Sequence, residues 1–371
     1  GKGVLKAVNN INTKLAGVLI GMDARNQFEI DQALINLDGS PAKKNLGANA
    51  ILAASIATLR SGAKSAKLPL YEHVNNLYCS KFKANKQLSL PVPMLNIING
   101  GEHANNNIDI QEFMVMPIGA QSFNECMQWA IEIYGALKSL LASKGLSTAV
   151  GDEGGFAPDL KSNQEAIELI LKSIEDCGLE AGKDIVLALD CAASEFFTDG
   201  KYVLKGENKS LDSNDFVDYL KSLVSSYPIR SIEDGMDEND FDGWSMLTNE
   251  LGNSIQIVGD DLFVTNVKDL QHGIDKSLAN SILIKLNQIG TVGETLEAIN
   301  LASQNNYSAV ISHRSGETED NTIADICVGV SAGQIKTGAP CRSDRTSKYN
   351  RLLWIESDLG NSVSYANELF L

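Results

Sequence analysis

The sequence predicts an α/β protein in which a (β/α) barrel follows a helical N-terminal segment. Six apolar runs each stop at an ionisable residue: Asp190, Glu233, Asp260, Lys285, His313 and Lys336. From Glu233 to Lys336 these residues follow one another at intervals of 27, 25, 28 and 23 positions, enough for one strand, one helix and two loops. Because parallel strands of a barrel end at one face, we expect the six side chains to form an active site there.

Residues 1–82 are predicted to be helical. Apolar residues between Val4 and Leu19 recur every three or four positions, as on one face of an amphipathic helix. The run GANAILAASIATLRSGAKSA predicts a second helix, and Pro69 marks its end. The polar stretch from Lys81 to Gln87 then precedes the apolar run SLPVPMLNIINGG. We therefore place a domain boundary after residue 82, with a catalytic barrel over 83–371.

Within the barrel segment, strand-like runs alternate with amphipathic helical runs. The helical runs are FNECMQWAIEIYGALKSLLASKG, SNQEAIELILKSIEDCG, SNDFVDYLKSLVSSYP and TVGETLEAINLASQNN. Alternation of this kind predicts βα units and a parallel sheet. A chain of 371 residues also exceeds the usual size of one core, which favours a barrel with a smaller second domain.

The composition argues against several classes of protein. A formal net charge of -16 and a pI near 4.7 argue against direct nucleic-acid binding, because phosphate backbones are held by clustered Lys and Arg. No apolar stretch approaches the roughly 18 residues of a membrane span. The six cysteines form no CxxC pair, which is typical of reduced thiols, and no secretory segment is recognisable. We therefore expect a cytoplasmic protein.

Three of the strand-end residues predict a metal site. Asp190, Glu233 and Asp260 would repel one another by several kcal/mol if brought together without a counter-ion. Ligation by oxygen alone favours Mg²⁺ over Zn²⁺. Lys285 would lie beside the metal, where its ammonium form is disfavoured and the amine can act as a general base. The alternatives are that each acid caps a following helix and that Lys285 only neutralises the acids.

Two loops and one short apolar segment add further candidates. The loop TAVGDEGGFAP presents Asp152 and Glu153 between glycines. An acid opposite a lysine base is what an elimination requires. NGGEHANN places His103 in a loop, and IQEFM places Glu112 in a short apolar segment. Taken alone, such a loop is often only a turn and a loop histidine is often only solvated.

The motif SHRSGETED predicts an anion site. It places His313, Arg314 and Ser315 directly after a strand, and Arg and Ser together offer a forked donor and a hydroxyl to a phosphate. Lys336 adds a point charge suited to a carboxylate. In an acidic protein, basic residues concentrated in this way indicate an anionic small substrate.

Taken together, seven motifs resemble those of the enolase family over nearly the whole chain. They are VGDEGGFAP, ALDCAASEF, SIEDGMDE, VGDDLFVTN, ILIKLNQIGT, VISHRSGETED and GQIKTGAP, and EDGMDENDFDGW resembles the bacterial type. The resemblance implies an enolase-type (β/α)8 barrel with a partial, helical N-terminal capping domain. It also implies a hydro-lyase that converts 2-phospho-D-glycerate reversibly to phosphoenolpyruvate and water, a reaction of glycolysis and gluconeogenesis.

The same resemblance implies a role for each site residue. The first of two Mg²⁺ ions would be bound by Asp190, Glu233 and Asp260, and the ions would stabilise a dianionic aci-carboxylate intermediate. The implied catalytic residues are Lys285 as the base for the α proton, Glu153 as the acid for the 3-hydroxide, Glu112 and His103. The implied substrate-binding residues are His103, Glu112, Lys285, His313, Arg314, Ser315 and Lys336, of which Arg314 and Ser315 would bind the phosphate and Lys336 the carboxylate.

The resemblance also implies features outside this site. The family's strand-rich N-terminal segment, whose Ser/Gly loop closes over the site and helps to hold the second Mg²⁺, is expected to precede Gly1. A homodimer or higher homo-oligomer is implied. Two alternatives stay open: a superfamily member with another carboxylate substrate, and a binding or scaffold protein at the cell surface or in RNA-processing assemblies. The SHRSGET motif argues against the first, and the retained Lys285, Glu153 and carboxylates argue against the second.

Overall fold

The computed structural model describes residues 3–369, and its framework is a closed barrel of eight strands. The strands are β1 Val92–Asn99, β2 Glu112–Met116, β3 Val186–Asp190, β4 Ile229–Glu233, β5 Gln256–Gly259, β6 Ser281–Ile284, β7 Ser308–Ser312 and β8 Gly333–Lys336. Neighbours in the sequence are neighbours in the barrel, and β8 pairs with β1 to close it. The apolar runs of the sequence thus form the buried wall.

One strand corrects the prediction of a parallel sheet. β2 pairs antiparallel with both β1 and β3, whereas the other neighbouring strands pair in parallel. The connection between β1 and β2 contains only the short 3-10 helix Gly101–His103. A parallel return needs a longer crossover, usually a helix, so the chain turns back directly. The reversal places Glu112, the first residue of β2, opposite Asn99 and Asp190, the last residues of β1 and β3.

The N-terminal part is helical, as predicted. Its helices are α1 Leu5–Asn10, a π-helical turn Ile11–Leu15, α2 Ala16–Leu19, α3 Gln27–Asp38, α4 Ala48–Ala66 and α5 Leu70–Phe82. α4 stops at Lys67, which adopts a left-handed conformation, and Pro69 precedes α5. In the predicted apolar stripe Leu15 is buried, whereas Val4 and Leu5 are exposed. The boundary that we predicted after residue 82 falls at the end of α5.

The remaining helices surround the barrel. They are α6 Phe123–Ser143, α7 Asn163–Asp176, α8 Ser213–Ser226, α9 Phe241–Leu251, α10 Val267–Lys276, α11 Leu286–Ile289, α12 Val292–Gln304, α13 Thr322–Val330 and α14 Ser343–Leu359. Short strands pair outside the barrel at Ser89–Leu90 with Ser364–Tyr365, and at Phe197–Thr198, Lys201–Leu204 and Lys209–Leu211. Ser122, Ser162 and Thr291 cap α6, α7 and α12 by accepting a first-turn N–H.

Buried polar contacts join the N-terminal helices to the barrel. Asp31 of α3 accepts the N–H of Gly293 at 2.7 Å, in the first turn of α12. Lys43 pairs with Glu294 of the same turn at 2.9 Å. Burial raises the pKa of Asp31 to about 6. Within residues 3–369, no helix combines the length and apolarity needed to cross a membrane.

Candidate active site

A cavity of about 150 Å³ lies at the end of the barrel where the predicted residues gather. Its lining includes His103, Glu112, Glu153, Asp190, Asp260, Lys285, His313, Arg314, Ser315 and Lys336. The remaining predicted residue, Glu233, is buried behind this lining and contacts Lys336. Asp190, Glu233 and Lys336 are the last residues of β3, β4 and β8. Asp260, Lys285 and His313 directly follow β5, β6 and β7. The structure therefore brings every predicted site residue to one end of the barrel.

Lys336 holds three acidic side chains together at the bottom of the cavity. Its Nζ donates to Asp190 Oδ2 and to Glu233 Oε2, both at 2.8 Å, and lies 3.2 Å from Glu112 Oε1. Burial by itself would lower the pKa of Lys336, but Asp190 and the other acids beside it raise that pKa well above its usual value. Lys336 is therefore an ammonium ion that offsets part of the buried negative charge.

Lys285 and Asp260 form a second ion pair. Asp260 Oδ2 accepts from Lys285 Nζ, and Asp260 Oδ1 accepts from Gln288 Nε2 at 2.9 Å. Burial lowers the pKa of Lys285, but the charges of Asp260 and Glu233 outweigh burial and raise it overall. The disfavoured ammonium form was predicted for a metal-bound site, and for that site it stays a prediction. The prediction assumed a neighbouring cation, whereas the neighbours in the structure are carboxylates.

The backbone that carries Asp260 is held by another buried acid. Asp234, which adopts a positive φ of 42°, accepts the N–H of Asp260 at 2.8 Å and that of Asp261 at 3.0 Å. Burial, with the charges of Asp260 and Asp190, raises the pKa of Asp234 well above its usual value. Asp234 therefore orients Asp260 through its backbone.

Several carboxylates have the chemistry and geometry of a cation site. Asp234, Asp260 and Asp261 each offer an oxygen within 4.8 Å of the others. His103, Glu112 and Glu153 offer a second such group of ligand atoms. The predicted ligands Asp190 and Glu233 lie outside both groups, and Lys336 bridges these two residues. Among the described residues, Glu233 Oε1 and Glu112 Oε2 are buried with no hydrogen-bond partner. Buried oxygens without a donor fit a hard cation such as Mg²⁺.

Glu112 and Glu153 form a buried pair with opposite pKa shifts. Burial and the charge of Glu153 raise the pKa of Glu112 well above its usual range. Burial acts in the same direction on Glu153, but the rings of His313 and His103 outweigh it and hold its pKa well below the usual range. His103 Nδ1 lies 3.5 Å from Glu112 Oε1 and 3.9 Å from Glu153 Oε1. Glu112 therefore keeps its proton to a higher pH than Glu153 does.

The rim of the cavity carries the predicted anion-binding residues. Arg314 and Ser315 follow His313 after β7 and are exposed. Their backbone carbonyls accept hydrogen bonds from Arg345, which is fully buried on α14. The loop is thus anchored from behind while its side chains are free to meet a ligand.

Sequence reasoning missed several residues of this site. The missed lining residues are Gln111, Ala192, Glu195, Asp234, Asp261 and Ser312. Asp234 directly follows Glu233 in SIED, and Asp261 directly follows Asp260 in GDD. These adjacent pairs of acidic residues could have predicted both missed acids. Arg345 lies in a polar helical run, SDRTSKYN, in which nothing distinguished it from a surface arginine.

The arrangement can move two protons near a bound anion. Lys285 and the pair formed by Glu112 and Glu153 contribute a potential base and acid to one cavity, and Arg314 and Ser315 lie at its rim. An elimination needs one group to accept a proton and another to donate one to the leaving group.

Comparison with known families covers both parts of the chain. Residues 87–371 match the family model described as "Enolase, C-terminal TIM barrel domain". Residues 1–74 match the model described as "Enolase, N-terminal domain". The first match contains all eight barrel strands and every predicted site residue, and the second contains α1–α4.

Proposed function

Because the chain belongs to the enolase family, we propose that it catalyses the reversible dehydration of 2-phospho-D-glycerate to phosphoenolpyruvate. The family points to a lyase with a small-molecule substrate and a divalent metal ion. The observation that most supports this reaction is the shared cavity of Lys285, the pair of Glu112 and Glu153, and the exposed Arg314. It combines an acid, a base and a site for a phosphorylated substrate.

The substrate is held by its two anionic groups. Arg314 and Ser315 offer a forked donor and a hydroxyl to the phosphate. Lys336, deeper in the cavity, offers a point charge to the carboxylate. Because this lysine already neutralises Asp190 and Glu233, the substrate carboxylate competes with them for its protons.

We assign Lys285 as the base that removes the α proton. Its ion pair with Asp260 favours the ammonium form, so the amine becomes available once another positive charge engages Asp260. The carboxylates that we propose as Mg²⁺ ligands are Asp190, Glu233 and Asp260, and the unpartnered Oε1 of Glu233 supports this choice. When bound, Mg²⁺ would offset the negative charge that accumulates on the substrate carboxylate, and a second Mg²⁺ is expected only with substrate.

We assign Glu153 as the acid that assists departure of the 3-hydroxide. The raised pKa of Glu112 favours its protonated form, and His103 Nδ1 lies within 3.9 Å of both carboxylates. A proton that passes to Glu153 can then be donated to the leaving oxygen, which departs as water. His103 and Glu112 thus supply and hold the proton, and His313 lies on the other side of Glu153.

The direct test is turnover of defined substrates. Purified protein with Mg²⁺ and 2-phosphoglycerate should produce the ultraviolet absorbance of phosphoenolpyruvate, and glycerate without the phosphate should give none. If 2-phosphoglycerate gives no signal and another carboxylate is dehydrated, a different superfamily reaction replaces this proposal. If no carboxylate is turned over but the protein is folded, the scaffold alternative is favoured.

Metal binding can be tested separately by unfolding. After chelation, Mg²⁺ at about 100 times its Kd should raise the free energy of unfolding by about 2.7 kcal/mol. Asp190→Asn and Glu233→Gln should reduce this response. Asp269→Asn, which changes an exposed acid on α10, is the matched control and should leave it intact. An equal response in all three variants would contradict the proposed ligands.

The cellular context remains a proposal. We propose a cytoplasmic location, a homodimer or higher homo-oligomer, and a secondary role at the cell surface or in RNA-processing assemblies. Size-exclusion chromatography with light scattering tests the oligomer directly.

A further inference from the structure

One buried arginine contacts two loops of the active site from behind. Arg345 of α14 is fully buried, and its guanidinium reaches the loop after β7 and the loop that carries Glu153. Its nitrogens donate to the carbonyls of Arg314 and Ser315 at 2.6 Å each and to the carbonyl of Asp152 at 3.1 Å. They also contact His313 Nδ1 and lie 3.1 Å from Asp344 Oδ2. The proposed reaction assigns no role to this residue.

A glycine makes room for this arginine. Gly338 has a positive φ of 80°, and a Cβ at this position would lie 2.9 Å from Arg345 Cδ and 2.8 Å from the carbonyl oxygen of Glu153. Arg345 therefore packs in a space that a larger residue would close. The backbone of Glu153 and the stem of Arg345 are held against the same turn.

The contact with Arg345 decides which ring nitrogen of His313 carries a proton. A guanidinium has donors only, so Nδ1 of His313 must act as the acceptor. Burial lowers the pKa of His313 to about 4, so the ring is neutral at pH 7 and holds a single proton. That proton therefore lies on Nε2, which is 3.1 Å from Glu153 Oε1.

We propose that Arg345 is a positioning residue that holds His313 in its Nε2–H tautomer and thereby directs a hydrogen-bond donor at the Glu153 carboxylate. Through the carbonyls of Asp152, Arg314 and Ser315, the same guanidinium sets the separation between the acid and the phosphate-binding loop. The effect of Arg345 on turnover rests on the proposed function, whereas its effect on the tautomer of His313 does not depend on that function.

The ring protonation can be measured without turnover. Protein labelled with ¹⁵N-histidine reports the protonation state of each ring nitrogen by NMR, and loss of one signal in His313→Gln assigns His313. At pH 7 the wild-type ring should be Nε2–H. In Arg345→Met the ring should shift to a mixture that includes the Nδ1–H form. Arg345→Lys, which also offers only donors, should keep the Nε2–H form.

Kinetics then separate positioning from stability. If the proposed reaction is observed, Arg345→Met should lower kcat about 10–100-fold, the usual cost of losing a residue that orients a site group. Arg345→Lys should restore most of kcat but not KM, because one ammonium group cannot hold the carbonyls of both loops. Arg351→Met is the control: Arg351 also lies on α14 and pairs with buried Asp325, so its loss should lower stability without changing kcat or the tautomer.

Two results would overturn the inference. One is a wild-type His313 that is protonated on Nδ1 or on both nitrogens at pH 7, and this test does not depend on any variant being folded. The other is a folded Arg345→Met that keeps both the Nε2–H form and the wild-type kcat. If wild-type protein does not turn over 2-phosphoglycerate, the proposed function fails, while the NMR measurement still decides the tautomer.

Discussion

The two ends of the barrel interior are built from the same strands but carry different polar groups: charged side chains at the active-site end and neutral amides at the other. At the active-site end, Lys336 pairs with Asp190 and Glu233, and every partner is charged and buried. At the other end, Gln256 and Gln334 face each other near the starts of β5 and β8. Their amides exchange hydrogen bonds at 2.6 and 3.0 Å, and Gln256 also donates to Ser308 Oγ at 2.8 Å.

The two ends also differ in how completely their polar atoms are paired. Glu112 Oε2, Glu233 Oε1 and His103 Nδ1 are buried without a hydrogen-bond partner among the described residues. Buried charges cost several kcal/mol of desolvation each, whereas paired neutral amides cost little. The comparison indicates that the amide end stabilises the barrel, while the charged end keeps unmet bonding capacity for ligands.

The largest expected effect at the charged end is the loss of turnover when the proposed base is removed. Lys285→Ala should lower kcat by about 10²–10⁴-fold, because it removes the group that we assign to accept the α proton. Mg²⁺ binding should be largely retained, since Asp190, Glu233 and Asp260 remain. The absorbance assay and calorimetric titration of Mg²⁺ measure the two effects. Lys276→Ala, at an exposed position on α10, is the control. Retained turnover in Lys285→Ala would remove this lysine from the role of base.

The next largest effect is expected on stability. Lys336→Met should lower the free energy of unfolding by about 3–5 kcal/mol at pH 7, because Asp190, Glu233 and Glu112 would lose their shared cation. Urea denaturation measures the loss, and added Mg²⁺ should restore part of it. If the variant is as stable as the wild type, charge pairing does not hold the active-site end together and the comparison fails.

The pH dependence of stability gives an intermediate effect. The pKa of His313 falls from 6.5 to about 4 on folding, chiefly through burial, with Glu153, Arg345 and Lys336 facing the ring. Above pH 6.5 both states are neutral and stability is complete. Between pH 6.5 and 4 only the unfolded chain binds the proton, so stability should fall, by about 3 kcal/mol in total.

Subtracting the profile of His313→Gln isolates this contribution. Denaturation of both proteins across pH 4–8 should give a difference that grows as the pH falls. A difference that is flat, or that grows towards high pH, would show that His313 is not buried as the neutral form.

The smallest effect is expected at the amide end. Gln334→Leu should cost about 1 kcal/mol, because Gln256 keeps its contacts with Ser231, Ser281 and Ser308. kcat should not change, since Gln334 lies near the start of β8 and does not line the active-site cavity. Ile335→Val, the neighbouring core position, is a control for packing. A loss of turnover in Gln334→Leu alone would show that the two ends are coupled.

Sequence reasoning located most of the candidate site because chain order fixes where strand ends meet. Once βα units are recognised, Asp260, Lys285 and His313 can only follow strands that end at the same face. It could not find the reversal of β2, because an apolar run such as EFMVM has no direction. It also could not foresee that Lys336 would bridge the acids, since ion pairing depends on distances between residues far apart in the chain.

By itself, the sequence determined the βα alternation, the helical N-terminal part and the set of ionisable residues at the strand ends. These follow from local periodicity and covalent order, which the chain carries directly. The tertiary structure alone decided that Glu112 faces Asp190, that Lys285 is paired with Asp260, and that Arg345 contacts the ring of His313. Such features depend on burial and on contacts between distant segments, which exist only after the chain has folded.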